Sequence, residues 1–527
     1  MSRIVFESER PLTQVDPARA DIACFVGLVR CNTGAALPAA VLEWLKAQGW
    51  TDGPFATRQI TPPLDVPIPI ETYPSFTALF DAGGSSVSFG TDYLATAVRS
   101  FFAQGGKRCY VVRMGDPVTT TDSDRTKSAK LQSLLPSNTF AVDDQSGWHG
   151  VGHLAGLPDV SYVALPDLPI LTASAATGAV GQTPANPVGP EVFVECSTKD
   201  VTAVPPPQYG PFAPRLLPGD YAKWTAAVQA VVQYLSQGSL RELQFVAAFP
   251  MPRDTDIAEA QEDPSNALTQ DIHDVIDKYL PEPPNGGTWQ DIGGVSSAFL
   301  QLAYPWLRTT GSYVLLEGLE PPDGALIGLL ARNALTRGAF TSATKVTPAE
   351  IYDVFPILPA RETRVSTTPL KWGDNSLKPM IERFSLFGFT PAGLALLSDV
   401  TAFAGESYRP ARVHRLVSVI LRAARTFGQD VVFQQNGPAL WARAQSYLKN
   451  LMTRLWQANA LDGATAAAAF SVRCDRSTMT QNDLDNGRLI ALVTFNAAST
   501  IELIRVTLAL ETSGTSAQSI AQLAEAS

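Results

Sequence analysis

The chain has 527 residues, 45% hydrophobic and 17% charged, which is a globular composition and excludes a disordered one. Its length exceeds what one hydrophobic core usually organises, so about two to four domains are expected. A net charge of −10 without blocks of Lys or Arg argues against nucleic-acid or anionic-lipid binding. The lack of any run of about 18 apolar residues argues against a membrane span, and the polar N-terminus reads as that of a protein made, and assembled, in the cytoplasm.

Residues 1–20 read as an extended arm punctuated by Pro11 and Pro17, and 22–29 as a short buried strand. Residues 31–88 are rich in proline and turn signals, with a short helical stretch at 37–48. In 91–104, Leu94, Ala97, Val98 and Phe101 recur at helical spacing, and Gly105-Gly106 stop the helix. Residues 108–114 then read as a buried strand, 115–147 as polar loop, 160–165 as another strand and 170–218 as a long loop rich in Pro, Ala and Gly. Helix 221–236, with Trp224, Val228, Val231 and Leu235 on one face, feeds strand 243–249. Helix followed by strand, repeated, predicts an α/β layer with parallel pairing. A helix-like piece at 270–279 precedes a turn-rich break at 281–287.

From about 371 the pattern changes. Residues 384–389 and 394–400 read as strands, 411–427 as a helix with Val413, Leu416, Val417, Ile420 and Leu421 inward, and 431–433 as a strand. Pro438 opens a long helix to about residue 459. Its apolar stripe is Leu440, Trp441, Ala444, Leu448, Leu451, Met452, Leu455 and Trp456, and Arg443, Lys449 and Arg454 lie on the other side. Residues 471–493 pass from a polar turn segment into an apolar strand, and 501–510 form a second strand near the end. Such an ending leaves backbone donors and acceptors free to pair outside the chain.

Little points to catalysis. Cys24, Cys31, Cys109, Cys196 and Cys474 fit no zinc spacing, and an odd number argues against a complete disulfide framework. Cys24, Cys109 and Cys474 lie in or beside apolar runs and read as buried thiols. His149 and His153 stand four apart but share Gly150 and Gly152 with a sequence unsuited to a helix, and no Glu completes a zinc motif. Gly150, Gly152 and Gly156 miss the dinucleotide spacing. Asp254 and Asp256 read as a solvated loop, and Arg332, Arg337, Arg473 and Arg476 as structural or interfacial. No catalytic residue, metal or cofactor is nominated.

Four segments, in order, resemble contractile tail sheath proteins. Residues 89–114 (Phe-Gly-Thr-Asp-Tyr-Leu through Gln-Gly-Gly-Lys to Val-Val-Arg-Met) resemble the family's helix–Gly-Gly–strand unit, and 159–167 (Asp-Val-Ser-Tyr-Val-Ala-Leu-Pro-Asp) its next strand. Residues 321–338 (Pro-Pro-Asp-Gly-Ala-Leu, then Ala-Arg and Thr-Arg-Gly) resemble a third unit, and the match is densest over 440–488. Where the family places a proline before the last strand, this chain has Ala497-Ala498-Ser499.

The resemblance implies a multidomain fold of mixed α/β and α+β class. An N-terminal exchange arm (1–20) and an outer α/β domain (21–370) with insertions at about 31–88, 115–147, 172–218 and 251–295 would precede an inner domain (371–495) and a C-terminal exchange strand and tail (496–527). It implies a non-enzymatic subunit that polymerises in helically stacked, hexameric rings around an inner tube and contracts to drive the tube through a target envelope. Partners would be further copies or sheath isoforms, the tube protein, and baseplate and cap proteins, without nucleic acid or membrane insertion. Ile4, Val5, Phe6, Ile501, Leu503, Ile504, Val506 and Leu508 would add strands to neighbouring copies, and Arg443, Lys449 and Arg454 would face the tube. The alternative is an α/β enzyme whose loops at 115–147 and 172–218 cover a nucleotide or small-molecule site.

Overall fold

The computed structural model describes residues 19–81, 91–174, 213–252, 296–364 and 379–498, apart from residues 33, 138, 140, 218, 404, 406, 432 and 433, together with the backbone of 503–510 and 519–520. The strands in chain order are β1 (Ala23–Gly27), β2 (Arg30–Cys31), β3 (Pro67–Ile70), β4 (Phe80–Asp81), β5 (Cys109–Arg113), β6 (Tyr162–Ala164), β7 (Arg215–Leu216), β8 (Gln244–Ala248), β9 (Met251–Pro252), β10 (Leu300–Tyr304), β11 (Trp306–Thr309), β12 (Ile351–Phe355), β13 (Ser385–Thr390), β14 (Gly393–Leu396), β15 (Phe470–Arg473), β16 (Leu489–Asn496), β17 (Leu503–Leu510) and β18 (Ser519–Ile520). The helices used below are α1 (Ala39–Ala47), α2 (Tyr73–Leu79), α3 (Tyr93–Ala103), α4 (Asp124–Leu134), α5 (Leu168–Thr172), α6 (Asp220–Leu235), α7 (Asp323–Arg337), α8 (Ala411–Val431) and α9 (Pro438–Gln457).

Eight strands form one sheet in the order β14-β13-β10-β8-β6-β1-β5-β3. The strands from β13 to β5 run parallel, and β14 and β3 close the edges antiparallel. β1, β5, β8 and β10 are buried at every position, as continuous apolar strands covered on both faces must be. The expectation of a parallel α/β layer holds. Cys24 and Cys109 are buried free thiols inside it, and Cys474 is a buried free thiol in the second core.

Helix α3 ends as its sequence suggests: Gly105 takes φ +104°, and the Gly106 N–H returns to the Phe101 carbonyl at 3.0 Å. Helix α7 approaches α3 backbone to backbone. A Cβ on Gly324 would meet the Ala97 carbonyl at 2.4 Å, and one on Gly328 the Phe101 carbonyl at 2.6 Å. Two glycines one turn apart are what permits that contact.

At this junction Glu320 is fully buried, accepting hydrogen bonds from Ser100 Oγ (2.6 Å) and Thr309 Oγ1 (3.0 Å). Burial pushes its carboxyl up to about 8 against the pull of those two bonds, and burial likewise pushes Asp323 up to about 7. The folded chain therefore holds these protons more tightly than the unfolded chain does. Their stabilising effect is full below the ordinary carboxylate pKa and is lost as pH rises to about 8. The melting temperature is expected to fall between pH 5 and 8 at fixed ionic strength, and Glu320→Gln to flatten that fall; an unchanged slope in the variant would remove Glu320 from the account.

A second core gathers α8, α9, β15 and β16 with Ala339 and Tyr408. β13 and β14 belong to the first sheet, so the change of core falls after Ala402. Several expectations need correction. Residues 115–147 contain α4, where Ser123 caps the start and Lys127, Leu131 and Leu134 are buried. Residues 31–88 contain the expected helix as α1, and beside it α2 and edge strand β3, which were not expected. Val431 is the last residue of α8 and not part of a strand, and residues 432–433 lie outside the described set. The strand expected over 394–400 stops at Leu396. The segments at 270–279 and 281–287, with Asp254 and Asp256, lie outside the described residues.

Candidate functional site

Where a nucleotide enzyme with this sheet would bind its ligand is fixed by topology: the crevice beyond the carboxyl ends of β1 and β6, where the strand order reverses. That crevice is filled. Leu28, Val29 and Leu168 are buried there, and Asp167 Oδ2 accepts the Leu28 N–H at 2.6 Å. A Cβ on Gly27 would lie 2.2 Å from the same oxygen, so Gly27 is required by the Asp167 side chain itself. The burial that fills the crevice also pushes the Asp167 carboxyl well above its ordinary range.

The histidine pair is a packing feature. His153 is fully buried beside Trp50 and Phe55, with Nε2 at 2.8 Å from both Asp65 Oδ1 and Arg58 Nη1. Burial holds it below its ordinary pKa in spite of Asp65. Gly150–Gly156 forms a 3₁₀ helix with His149 at its cap, which the glycines had argued against. Among the described residues no cluster of three or more His, Cys, Asp or Glu is placed to hold a metal ion, and no helix is long and apolar enough to cross a membrane.

The C-terminal end has a different character. β15, β16, β17 and β18 form a separate antiparallel sheet in that order. β16 alternates buried and half-buried along its whole length, so one face lies on the α8–α9 core. β17 pairs with it over eight positions, from Leu489↔Leu510 to Asn496↔Leu503. Ile504, Val506 and Leu508 stand opposite the buried Phe495, Val493 and Ala491, while Leu503 stands opposite Asn496 on the other parity. Within this single chain the strand therefore completes the sheet of its own molecule. Ile501 and the arm residues Ile4, Val5 and Phe6 lie outside the described residues.

Helix α9 presents its expected stripe: Leu440, Ala444, Leu448, Leu451, Met452 and Leu455 are buried. Trp441 and Trp456 peg its two ends, donating to Asn436 Oδ1 (2.7 Å) and the Gly463 carbonyl (2.9 Å). Arg443, Lys449 and Arg454 are exposed, but they do not share one line. At about 100° per residue, Arg443 and Arg454 are aligned within about 20°, and Lys449 lies about 120° round the helix. Arg443 leans toward α8, over the Phe427 ring at 5.9 Å and onto Gln434 at 3.0 Å.

Sequence reasoning missed the polar seam on α8. Val413, Leu416, Val417, Ile420 and Leu421 face the second core as expected, but His414, Arg415 and Arg422 are buried too. Arg415 makes two bonds to Asp399 (2.6 and 3.0 Å) and one to the Ala339 carbonyl (2.9 Å). Asp399 also accepts from Gln301 Nε2 and the Ala343 N–H, both at 3.0 Å. Burial alone would raise Asp399; the Arg415 charge and these bonds overcome it and leave the carboxyl below its ordinary range. Two turns on, Arg422 donates to Ser161 Oγ (3.0 Å) and the Val160 carbonyl (3.1 Å), and Arg425 pairs with Glu242 at 2.8 Å. His414, pushed down to about 3 by burial, offers its neutral ring to the Leu243 carbonyl at 3.2 Å. The available signal was the seven-residue spacing of Arg415 and Arg422, which puts both on one face of the helix.

The fold thus combines a mixed eight-stranded sheet, a second core on α8 and α9, and a separate antiparallel terminal sheet. Among solved structures, the chain aligns over 95% of its length and 96% of the other with a chain of the anti-feeding prophage helical sheath in its contracted state (TM-score 0.51, 17% identity). It aligns over the same shares with a chain of the six-fold symmetrised anti-feeding prophage baseplate (TM-score 0.52, 17% identity). A chain of that baseplate in its contracted state covers 95% each way (TM-score 0.52, 18% identity). No family model matches the sequence, and no curated protein does. The likeness shows the fold, and it covers 95% of the chain.

Proposed function

We propose that the chain is the structural subunit of a contractile sheath around an inner tube, in a phage-tail-like injection machine. The observation that carries this reading is the end-to-end fold match to a chain of a helical sheath. On this reading copies assemble in the cytoplasm into stacked hexameric rings, seated on a baseplate and closed by a cap, and contract without a nucleotide. The extended sheath would be a trapped packing that relaxes to a better buried one. The outer unit would carry the insertions, and the second core would form the centre of the inner unit.

Strand exchange would link the copies. β17 follows β16 through residues 497–502, a connection of at most about 20 Å when extended. The same eight-position register is available whether β17 pairs with its own β16 or with that of a neighbour. Closure within one chain and exchange between chains are thus alternative connections of one sheet. The N-terminal arm, through Ile4, Val5 and Phe6, would add a further strand. Negative-stain microscopy of purified protein tests the reading: ribbed tubes or rings support it, and monodisperse small particles at high concentration sink it.

Arg443, Lys449 and Arg454 would be the tube-facing charges of α9. Exposed pairs are weak, about 0–1 kcal/mol each, which suits contacts that must release. Since Arg454 is exposed and Arg443 is partly engaged with α8, Arg454→Glu is expected to weaken co-sedimentation with tube protein several-fold, more at low salt than at high. Unchanged co-sedimentation would take α9 off the tube.

A further inference from the structure

Residues 19–22 lead into β1 and cross from one core to the other. Ala20 is buried in the second core and Ile22 in the first, with the fully buried Asp21 between them. The Arg19 side chain folds back onto Asp21, donating from Nε at 2.9 Å and from Nη2 at 3.4 Å. The Ile22 carbonyl accepts the Ser161 N–H at 2.8 Å, and β1 begins at the next residue. Arg422 of α8 holds this crossing. Its side chain is almost fully buried, Nη1 donates to the Arg19 carbonyl (2.5 Å) and to Ser161 Oγ (3.0 Å), and Nη2 donates to the Val160 carbonyl (3.1 Å). A buried guanidinium is normally placed by a carboxylate, but Glu242 does not account for this one. That carboxylate stands 3.6 Å from Arg422 Nε and is met more closely by Arg425, at 2.8 Å. The hydrogen bonds of Arg422 go instead to the root of the N-terminal segment and to the entry of β6.

Chain ends fray unless they are tied down, and a bond from a charged donor ties more firmly than a neutral one. We propose that Arg422 and Ala20 anchor the N-terminal arm to the second core at Arg19, so that the arm is carried by α8 as well as by β1. Arg422 is on this view a positioning residue: it fixes where the arm starts, and a pull on the arm reaches both cores at once. Fixing the root also removes backbone freedom before the arm pairs with anything, which favours that pairing. The role in assembly rests on the reading that the arm links copies, whereas the anchor itself does not.

Trypsin reads the anchor directly. The Arg19–Ala20 bond carries the carbonyl that Arg422 holds, and cleavage there tracks the population of the opened root. In the dilute, unassembled full chain, Arg422→Lys is expected to raise the cleavage rate at Arg19–Ala20 about tenfold to a hundredfold, the factor that losing one hydrogen bond to a charged group gives. Glu242 keeps its partner Arg425 in this variant. Ala20→Gly leaves Arg422 in place and should raise the same rate several-fold. Ser161→Ala removes a different Arg422 bond and should change it little. Unchanged cleavage in the first two variants overturns the anchor, and so does a rise shared by Ser161→Ala or by the tryptic sites of α9, which marks a general loosening. In assembly, the threshold concentration for tubes, read by sedimentation, should rise several-fold in Arg422→Lys and Ala20→Gly; faster cleavage with a native threshold overturns the role in assembly. A native chain that forms no tubes sinks the sheath reading alone, because cleavage still decides the anchor.

Discussion

Deleting residues 500–527 is expected to leave a folded chain that sediments as a monomer where the full chain forms tubes. The first core reaches to Ala402, and the second gathers α8, α9, β15 and β16, all of which the truncation keeps. What the deletion removes is the pairing on the outer edge of β16. An antiparallel ladder of eight residue pairs carries about eight hydrogen bonds. At about 0.5–1.5 kcal/mol net each, the exchanged link is worth several kcal/mol or more per subunit, before apolar burial. No array of exposed ion pairs at about 0–1 kcal/mol replaces that. Sedimentation velocity on both forms decides the matter, with far-UV circular dichroism showing that the truncated chain is folded. Tubes of normal length from the truncated chain would remove strand exchange from the assembly. A peptide covering residues 500–511, added in trans, should bind the truncated chain and not the full one, because only the former leaves the β16 edge vacant.

How much of this was legible in the sequence follows from how local each signal is. The parallel core was readable because β1, β5, β6 and β8 are unbroken apolar runs, and α3 carries both its periodicity and its glycine stop within 14 residues (93–106). Strand β3 hid behind Pro67 and Pro69, which are tolerated because it is an edge strand with one side of its backbone unpaired. Helix α4 hid because its surface is almost wholly polar, and only Lys127, Leu131 and Leu134 turn inward. Lys127 buries its stem while its amine reaches the Ala173 carbonyl at 3.0 Å, an arrangement set by tertiary packing that no local pattern announces. Strands β13 and β14 were readable as strands but not as members of the first sheet, since sheet membership depends on contacts across 80 or more residues, such as Tyr304 with Leu386. The terminal strands were readable as apolar runs, whereas the register of β17 on β16 follows from pairing that no single strand's sequence states.

Replacing Arg415 by methionine is expected to produce the largest loss of stability of any single substitution in the seam, about 3–5 kcal/mol. The reason is what the change leaves behind. Asp399 is almost fully buried, and without Arg415 its charge keeps only the Gln301 and Ala343 donors. The pair itself contributes less than that figure, because removing two ions from water offsets most of their attraction. Replacing both, as Arg415→Met with Asp399→Leu, should therefore recover much of the loss, although the Ala343 N–H would then lack a partner and Gln301 Nε2 would keep only its bond to Ser385 Oγ (2.7 Å). Denaturant unfolding followed by tryptophan fluorescence measures both variants; a single variant within about 1 kcal/mol of the native chain would show that water reaches the seam. The pH dependence has the opposite sign to that of Glu320. Asp399 sits below its ordinary range in the folded chain, so its contribution is present above the ordinary carboxylate pKa and is lost as pH falls through the lower, folded value. Because Arg415 of α8 is bonded to Asp399, which in turn holds Gln301 of β10 and the Ala343 N–H, it ties the second core to the first. Loosening this seam should broaden the unfolding transition as the two cores begin to melt apart.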